Sequence, residues 1–183
     1  MTNSVEPTPE EKIYRRVLFV AGFDGWSVVI VAGLGTVLSL LFGSLTGILI
    51  GLLLIGAGVM ELHGRRLLQR RNADGMRWLV RAQLFLLGVI VVYCASRLGS
   101  FDAETAMGNM TPDMEAALTE AGLNKADIVP LVHMTFVATY SILAIISLIF
   151  QGGLALYYRS RIGGVTAALA PPPPIVTTNY SVL

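Results

Sequence analysis

The stretch that decides the fold is GWSVVIVAGLGTVLSLLFGSLTGILIGLLLIGAGVM, which runs from Gly25 to Met60 without a charged residue. A helix needs about 20 apolar residues to cross the core of a bilayer, so this stretch is too long for one span. Residues 42–47 (FGSLTG) are its only part with enough turn-forming residues to reverse the chain. The stretch therefore predicts two membrane helices, residues 26–42 and 45–62, joined by a tight hairpin.

Two further apolar runs lie C-terminal to this hairpin. They predict a third span over residues 78–96 and a fourth over residues 131–157. Backbone groups in lipid must be hydrogen-bonded within the structure, and runs of this length satisfy that requirement as helices. The sequence thus predicts an all-α integral membrane protein, with four transmembrane helices in an up-down bundle over residues 26–158.

The composition agrees with a membrane protein and argues against a soluble domain and a nucleic-acid-binding protein. Of the 183 residues, 54% are hydrophobic and 14% are charged, whereas a soluble domain carries about 25% charged residues. The formal net charge of +1 does not favour a nucleic-acid partner. The partner indicated by composition is the lipid bilayer.

The charged residues give the orientation of the predicted bundle. Basic residues precede the first span, connect the second to the third and follow the fourth: Lys12, Arg15, Arg16, Arg65, Arg66, Arg70, Arg71, Arg159 and Arg161. The loop over residues 98–130 is instead acidic. Since basic loops mark the cytoplasmic side, we expect both termini there and a multi-pass protein of the cytoplasmic (cell) membrane. Four of these residues are candidates for contacting anionic lipid headgroups, although orientation alone would also explain them: Arg65, Arg66, Arg70 and Arg71.

The segments outside the spans are expected to be less regular. Residues 1–25 form a cytoplasmic N-terminal tail. Residues 12–22 within it either lie on the membrane as an interfacial helix, with a break at residues 22–25 (GFDG) before the first span, or extend the first span; we favour the interfacial helix. Residues 159–183 form a flexible, Pro-rich cytoplasmic tail. Within the outer loop, Thr111 and Pro112 predict the start of a short helix and Gly122 its end.

Charged residues are expected to meet at the inner end of the bundle. Asp24 lies nineteen positions before Gly43 and Glu61 eighteen after it (43 − 24 and 61 − 43), so both reach the same depth. The predicted ion-pair layer consists of Asp24, Glu61, Arg65, Arg77 and Arg81, and Gln83 lies at the same level. We interpret it as a structural lock between helix ends rather than a catalytic or transport site. Tyr157 and Tyr158, also at this level, are interpreted as interface anchors.

Glycines at a spacing of four begin at the hairpin. Gly43, Gly47 and Gly51 form a GxxxGxxxG run, a pattern that lets helix backbones approach closely. The run predicts tight helix packing, either against the first span of the same chain or, second, against another protomer.

Candidate chemistry is sparse. His63 and His133 lie at opposite ends of the predicted bundle, so they cannot share one haem or metal ion. Cys94 lies within the third span, where inert packing is the better interpretation. No nucleophile elbow, phosphate-binding glycine loop or paired-cysteine metal site occurs. We therefore expect no enzyme activity, no catalytic residue, no metal and no cofactor.

The functional expectation follows from these eliminations. The sequence favours a small multi-span membrane protein with a structural, assembly or accessory role, acting as a homo-oligomer or within a larger membrane complex. The alternative is an oligomeric channel or membrane-permeabilising effector, with the acidic loop at its outer mouth.

Overall fold

A computed structural model of the chain describes residues 8–102, 111–120, 122 and 125–170. These residues form helices and no strand. The helices are α1 (Pro9–Leu41), α2 (Leu45–Gln69), α3 (Asp74–Gly99), α4 (Pro112–Glu120) and α5 (Lys125–Leu169). All except α4 are long and apolar enough to cross a membrane. The predictions of an all-α chain and of four helices able to span are confirmed.

The hairpin between α1 and α2 lies where the turn residues predict it. Gly43 has a φ of 67°, a left-handed conformation that favours glycine. Ser44 then caps α2, because its side chain accepts a hydrogen bond from the Gly47 amide at 3.2 Å. In the loop before α5, α4 begins at Pro112 and Gly122 adopts a φ of 72°, as predicted for a helix start and stop.

The favoured break at residues 22–25 is wrong, because α1 runs through it without interruption from Pro9 to Leu41. The structure agrees with the alternative, in which this segment extends the first span. Gly22 and Gly25 serve helix packing instead. A Cβ at Gly22 would lie 2.8 Å from the guanidinium carbon of Arg65, and one at Gly25 would lie 3.1 Å from the Leu62 side chain. These glycines let α2 approach α1 closely, so they do not act as helix breakers.

The flexible tail expected over residues 159–183 is also corrected, because α5 extends to Leu169. Val165 is fully buried within this extension, and the Arg71 guanidinium donates a hydrogen bond to the Ala168 carbonyl at 3.2 Å. Tertiary contacts therefore hold the extension, and a prediction from the length of apolar runs in the sequence does not include such contacts. The proline run at residues 171–174, predicted to be flexible, lies outside the described residues.

One end of the bundle contains the start of α1, the end of α2, the start of α3 and the end of α5, and we call it the basic end. The Tyr14 hydroxyl there donates to the Leu68 carbonyl at 2.9 Å. A cluster of buried apolar residues joins the four helices: Val17, Ala21, Leu68, Met76, Leu79, Tyr158 and Val165. The largest buried core of the described chain is thus at this end.

The opposite end, which contains the turn after Leu41, we call the hairpin end. There α1 and α2 pack through small residues, with Thr36 against Gly51 and Ser39 against Gly47. The end of α3 and the start of α5 pack through rings instead. Tyr93 on α3 meets Tyr140 on α5 with ring centroids 6.0 Å apart, and Phe101, just after α3, meets His133 at 4.6 Å and Phe136 at 5.0 Å.

Candidate functional site

Four polar side chains, one from each long helix, meet inside the basic end. We call Asp24, Glu61, Gln83 and Tyr158 the polar cluster. The Gln83 amide nitrogen donates to Asp24 Oδ2 at 2.7 Å and to Glu61 Oε2 at 2.9 Å. The Tyr158 hydroxyl donates to Glu61 Oε1 at 2.7 Å. A primary amide has two N–H groups, so one Gln83 side chain can bond both carboxyl groups at once.

Three of the four members of the polar cluster are closed to solvent. Gln83 and Tyr158 are 0% exposed and Glu61 is 2% exposed, whereas Asp24 is half-buried. Buried polar groups are costly unless they are hydrogen-bonded, and both oxygens of Glu61 have a donor from this chain. The cluster therefore cross-links α1, α2, α3 and α5 around one acidic side chain.

The predicted ion-pair layer is only partly correct. The structure brings Asp24 and Glu61 together at one level, as expected. Within the described chain, however, no ion pair joins either of them to an arginine. Arg77 is exposed and lies 3.7 Å from Asp74, and Arg81 is exposed on the outside of α3. Their place as partners of the carboxyl groups is taken by neutral donors.

Arg65 occupies an intermediate position. Its guanidinium lies against the backbone of Gly22 on α1, and its Nε is buried without a hydrogen-bond partner in the described part of the chain. It packs between α1 and α2 instead of forming the expected ion pair. An amide and a phenol replace the arginines because they satisfy the carboxyl oxygens without bringing a second buried charge into the bundle.

Helix geometry explains why Gln83 and not Arg81 is inside. Residues two positions apart differ by about 200° around a helix, so the two side chains lie on opposite faces. Gln83 belongs to the buried face with Met76, Leu79 and Leu86. That spacing was available in the sequence and would have selected the glutamine.

Tyr158 is the site residue that the sequence interpretation missed. The sequence predicts that it lies with Tyr157 as an interface anchor, but its ring and hydroxyl are buried in the core. The spacing of Ala155, Tyr158 and Val165 along one face of α5 was the available signal. It was overlooked because that helix was expected to end at 157.

The glycine run divides into two roles. A Cβ at Gly47 would overlap the Ser39 hydroxyl, and one at Gly51 would overlap the Thr36 hydroxyl, so both glycines pack against α1 of the same chain. Gly43 has no atom within 4 Å of a built Cβ and serves the turn. Within the described chain, Gly43 therefore takes no part in helix packing.

The four arginines proposed to contact lipid headgroups are not equivalent. Arg71 donates to the Ala168 carbonyl and lies over the Tyr14 ring at 5.7 Å. Arg65 is packed against α1, as described above. Arg66 and Arg70 are exposed. Arg71 is also exposed. Two of the four thus contact other parts of the chain, and Arg66 and Arg70 are the candidates for which no such contact is described.

The histidines and the cysteine are placed as the sequence indicates. His63 is exposed and meets the Trp78 ring edge-on at 5.2 Å, while His133 stacks near Phe101 at the hairpin end. Cys94 is buried. Among the described residues, no three His, Cys, Asp or Glu side chains come close enough to hold a metal ion.

Comparisons with protein-family models, with curated proteins and with solved structures find no match for this chain. The geometry of the polar cluster and of the helix surfaces therefore carries the functional argument.

Proposed function

We propose that the chain is a structural, assembly or accessory protein of the cytoplasmic membrane. In this proposal the four long helices form an up-down bundle with both termini on the cytoplasmic side. The observation that supports it best is that Glu61, the most buried carboxyl group described, accepts hydrogen bonds from Gln83 and Tyr158 of the same chain. An ionisable group inside a membrane protein that is bonded in this way holds helices together.

The position of the polar cluster also favours a structural role over coupled transport. Carriers and proton relays use ionisable groups near the midplane of the membrane, reachable from both sides in turn. Here residues 25–60, which include the hairpin, contain no ionisable side chain. The acidic pair lies at the basic end, about 27 Å of helix away from Gly43.

The orientation follows from the charges around the basic end. Positively charged loops are retained on the cytoplasmic side, and the described arginines of the α2–α3 connection belong to this end. We accordingly propose that the basic end faces the cytoplasm and that the hairpin end faces outward.

The partners in this proposal are the lipid bilayer and other membrane helices, either a second copy of the chain or a larger membrane complex. Large apolar side chains are exposed along α1, α2, α3 and α5, including Leu34, Leu49, Val92 and Ile146. Such surfaces can bury against lipid or against a neighbouring helix. An accessory role uses the second option.

Reconstitution into liposomes tests the proposal against its alternative, an oligomeric channel or permeabilising effector. We expect the ion flux, measured with a trapped ion-sensitive dye, to equal that of protein-free liposomes. The matched variant Glu61→Gln, which preserves side-chain shape, should give the same result. Flux in the wild type that Glu61→Gln abolishes would overturn the structural role.

The mass of the protein extracted in mild detergent from its native membrane tests the partner. We expect a particle that contains more than one chain, with any second component at a fixed ratio. A single chain without a companion, at every detergent concentration that preserves the fold, would contradict an assembly role.

A further inference from the structure

A basic pocket lies between the start of α1 and the end of α5, apart from the polar cluster. Its volume is about 340 Å³, and it is lined by Lys12, Ile13, Arg16, Tyr157 and Arg161. Three of these five side chains are cationic, and the phenol of Tyr157 adds a neutral donor. The chemistry of the lining is therefore that of an anion site.

The Tyr157 hydroxyl is the most informative group in the basic pocket. Its oxygen is buried, and it has no hydrogen-bond partner in the described part of the chain. The Arg161 guanidinium lies over the Tyr157 ring, 5.8 Å from its centroid. The neighbouring Tyr158 hydroxyl, by contrast, is bonded to Glu61. Since buried polar groups are normally satisfied, an unsatisfied hydroxyl beside a guanidinium indicates a missing acceptor.

No acidic side chain lines the basic pocket among the described residues. The described part of α5 beyond the pocket carries no carboxyl side chain. Arg16 and Arg161 therefore make the lining cationic. This charge matches a ligand carrying a phosphate group, because the planar guanidinium of arginine can bind phosphate oxygens through two parallel hydrogen bonds.

The level of the pocket along the bundle favours a lipid headgroup as the source of the phosphate group. Phe19, three positions beyond Arg16 on α1, is 73% exposed, and Leu156, just before Tyr157 on α5, is 67% exposed. The apolar outer surface of the helices therefore ends where the cationic lining begins. Headgroup phosphates lie at this boundary in a bilayer, and basic pockets between helices on the cytoplasmic side hold such headgroups.

We propose that the basic pocket binds the phosphate group of an anionic membrane lipid. Arg16 and Arg161 contact the phosphate oxygens from two different helices, and the Tyr157 hydroxyl donates a third bond. The site differs from the four arginines that the sequence suggested, which all come from α2 and the turn after it. A lipid held here joins the ends of α1 and α5.

Lipid retention by the full chain in detergent micelles tests this site. Native mass spectrometry would compare phosphatidylglycerol with phosphatidylcholine for the wild type, for Arg16→Gln/Arg161→Gln and for Arg77→Gln/Arg81→Gln, whose two arginines are exposed. The last variant is a matched control, because it removes two exposed charges from the same end. We expect preferential retention of phosphatidylglycerol in the wild type and in the control, and at least about tenfold weaker retention in the pocket variant.

Two outcomes would overturn the proposal at this stage. Equal weakening in the pocket variant and the control would show general surface charge, and unchanged retention in the pocket variant would show that the pocket holds no lipid. Tyr157→Phe provides a second variant in case the double substitution unfolds. It should weaken phosphatidylglycerol retention about threefold or more, because one hydrogen bond is lost, and unchanged retention would overturn the proposal.

A final titration distinguishes the lipid from a soluble phosphate. Inorganic phosphate would be titrated calorimetrically into the wild type in an uncharged detergent. We expect no saturable binding at millimolar concentration, because inorganic phosphate lacks the acyl chains that hold a lipid headgroup at the pocket. Saturable binding that Arg16→Gln/Arg161→Gln abolishes would assign the pocket to a soluble phosphate and would overturn the lipid source.

Discussion

The two ends of the bundle are built by different kinds of contact. At the basic end, all four long helices converge on buried apolar residues and on the polar cluster. At the hairpin end, α1 packs on α2 through Thr36 and Gly51, while α3 packs on α5 through rings such as Tyr93 and Tyr140. The basic end therefore depends on contacts among four helices, and the hairpin end depends on contacts within pairs.

This difference reflects what stabilises helices in a membrane. Lipid tails are as apolar as leucine, so burying apolar surface between helices gives little advantage over leaving it in lipid. Close approach of small residues and hydrogen bonds between helices supply specificity instead. The basic end uses both, since Gly64 on α2 lies against Gly75 on α3 below the polar cluster. The hairpin end has the small residues without a comparable buried network among the described residues.

The largest expected effect comes from removing the donor that joins the two carboxyl groups. Gln83→Leu leaves Asp24 and Glu61 without their shared amide. We expect it to lower the free energy of unfolding by about 3–5 kcal/mol, because two hydrogen bonds to carboxyl groups are lost. Unfolding in a denaturing detergent, followed by circular dichroism, would measure this loss.

Arg81→Leu is the matched control for this prediction. It lies two positions away on the same helix, but it is exposed, so we expect no change beyond the error of the measurement. An equal loss in both variants would show that the polar cluster does not hold the basic end together.

A smaller loss of stability is expected when a methyl group is added at the α1–α2 contact of the hairpin end. In Gly51→Ala the new methyl group would overlap the Thr36 hydroxyl, and overpacking of this kind costs about 1–3 kcal/mol. Gly56→Ala, on the same helix, meets no atom within 4 Å and should leave the stability equal or slightly raised. Thermal unfolding in detergent compares the two. If Gly56→Ala were the more damaging, α1 would not be the partner of this face of α2.

Only part of the contrast between the two ends could be predicted from the sequence. Uncharged runs and turn residues predicted the hairpin and the number of spans, because membrane thickness imposes a minimum length on each helix. Counting residues from Gly43 also placed Asp24 and Glu61 at one depth. These inferences use length alone, which sequence records directly.

What the sequence interpretation missed depends on rotation and on tertiary contacts. Depth does not tell which side of α3 faces inward, so it predicts Arg81 as a partner of the carboxyl groups although Gln83 is the buried residue. The extension of α5 past Tyr157 is held by Val165 and by the bond from Arg71, contacts between residues far apart in the chain. A prediction from apolar runs ends the helix where charged residues begin. It therefore does not place Tyr158 in the core.

The third prediction isolates one hydrogen bond of the polar cluster. Tyr158→Phe removes the donor to Glu61 Oε1 and keeps the ring, so we expect a loss of about 1–2 kcal/mol in the free energy of unfolding. Tyr157→Phe, measured without added lipid, is the neighbouring control. Its hydroxyl has no partner in the described chain, and we expect its stability to match the wild type. A loss of similar size in both variants would show that removing any tyrosine hydroxyl here lowers stability, and that the hydrogen bond to Glu61 is not the cause.

The smallest expected effect comes from the same substitution at the hairpin end. The Tyr140 hydroxyl accepts a bond from Arg97 Nε at 3.4 Å, and Arg97 is exposed. Tyr140→Phe should therefore cost less than about 0.5 kcal/mol, because water or a headgroup can replace the lost partner. Measured beside Tyr158→Phe under the same conditions, it compares the removal of one hydroxyl at each end. A cost at Tyr140 equal to that at Tyr158 would mean that burial does not distinguish the two ends, and the contrast between them would have to be sought in helix packing alone.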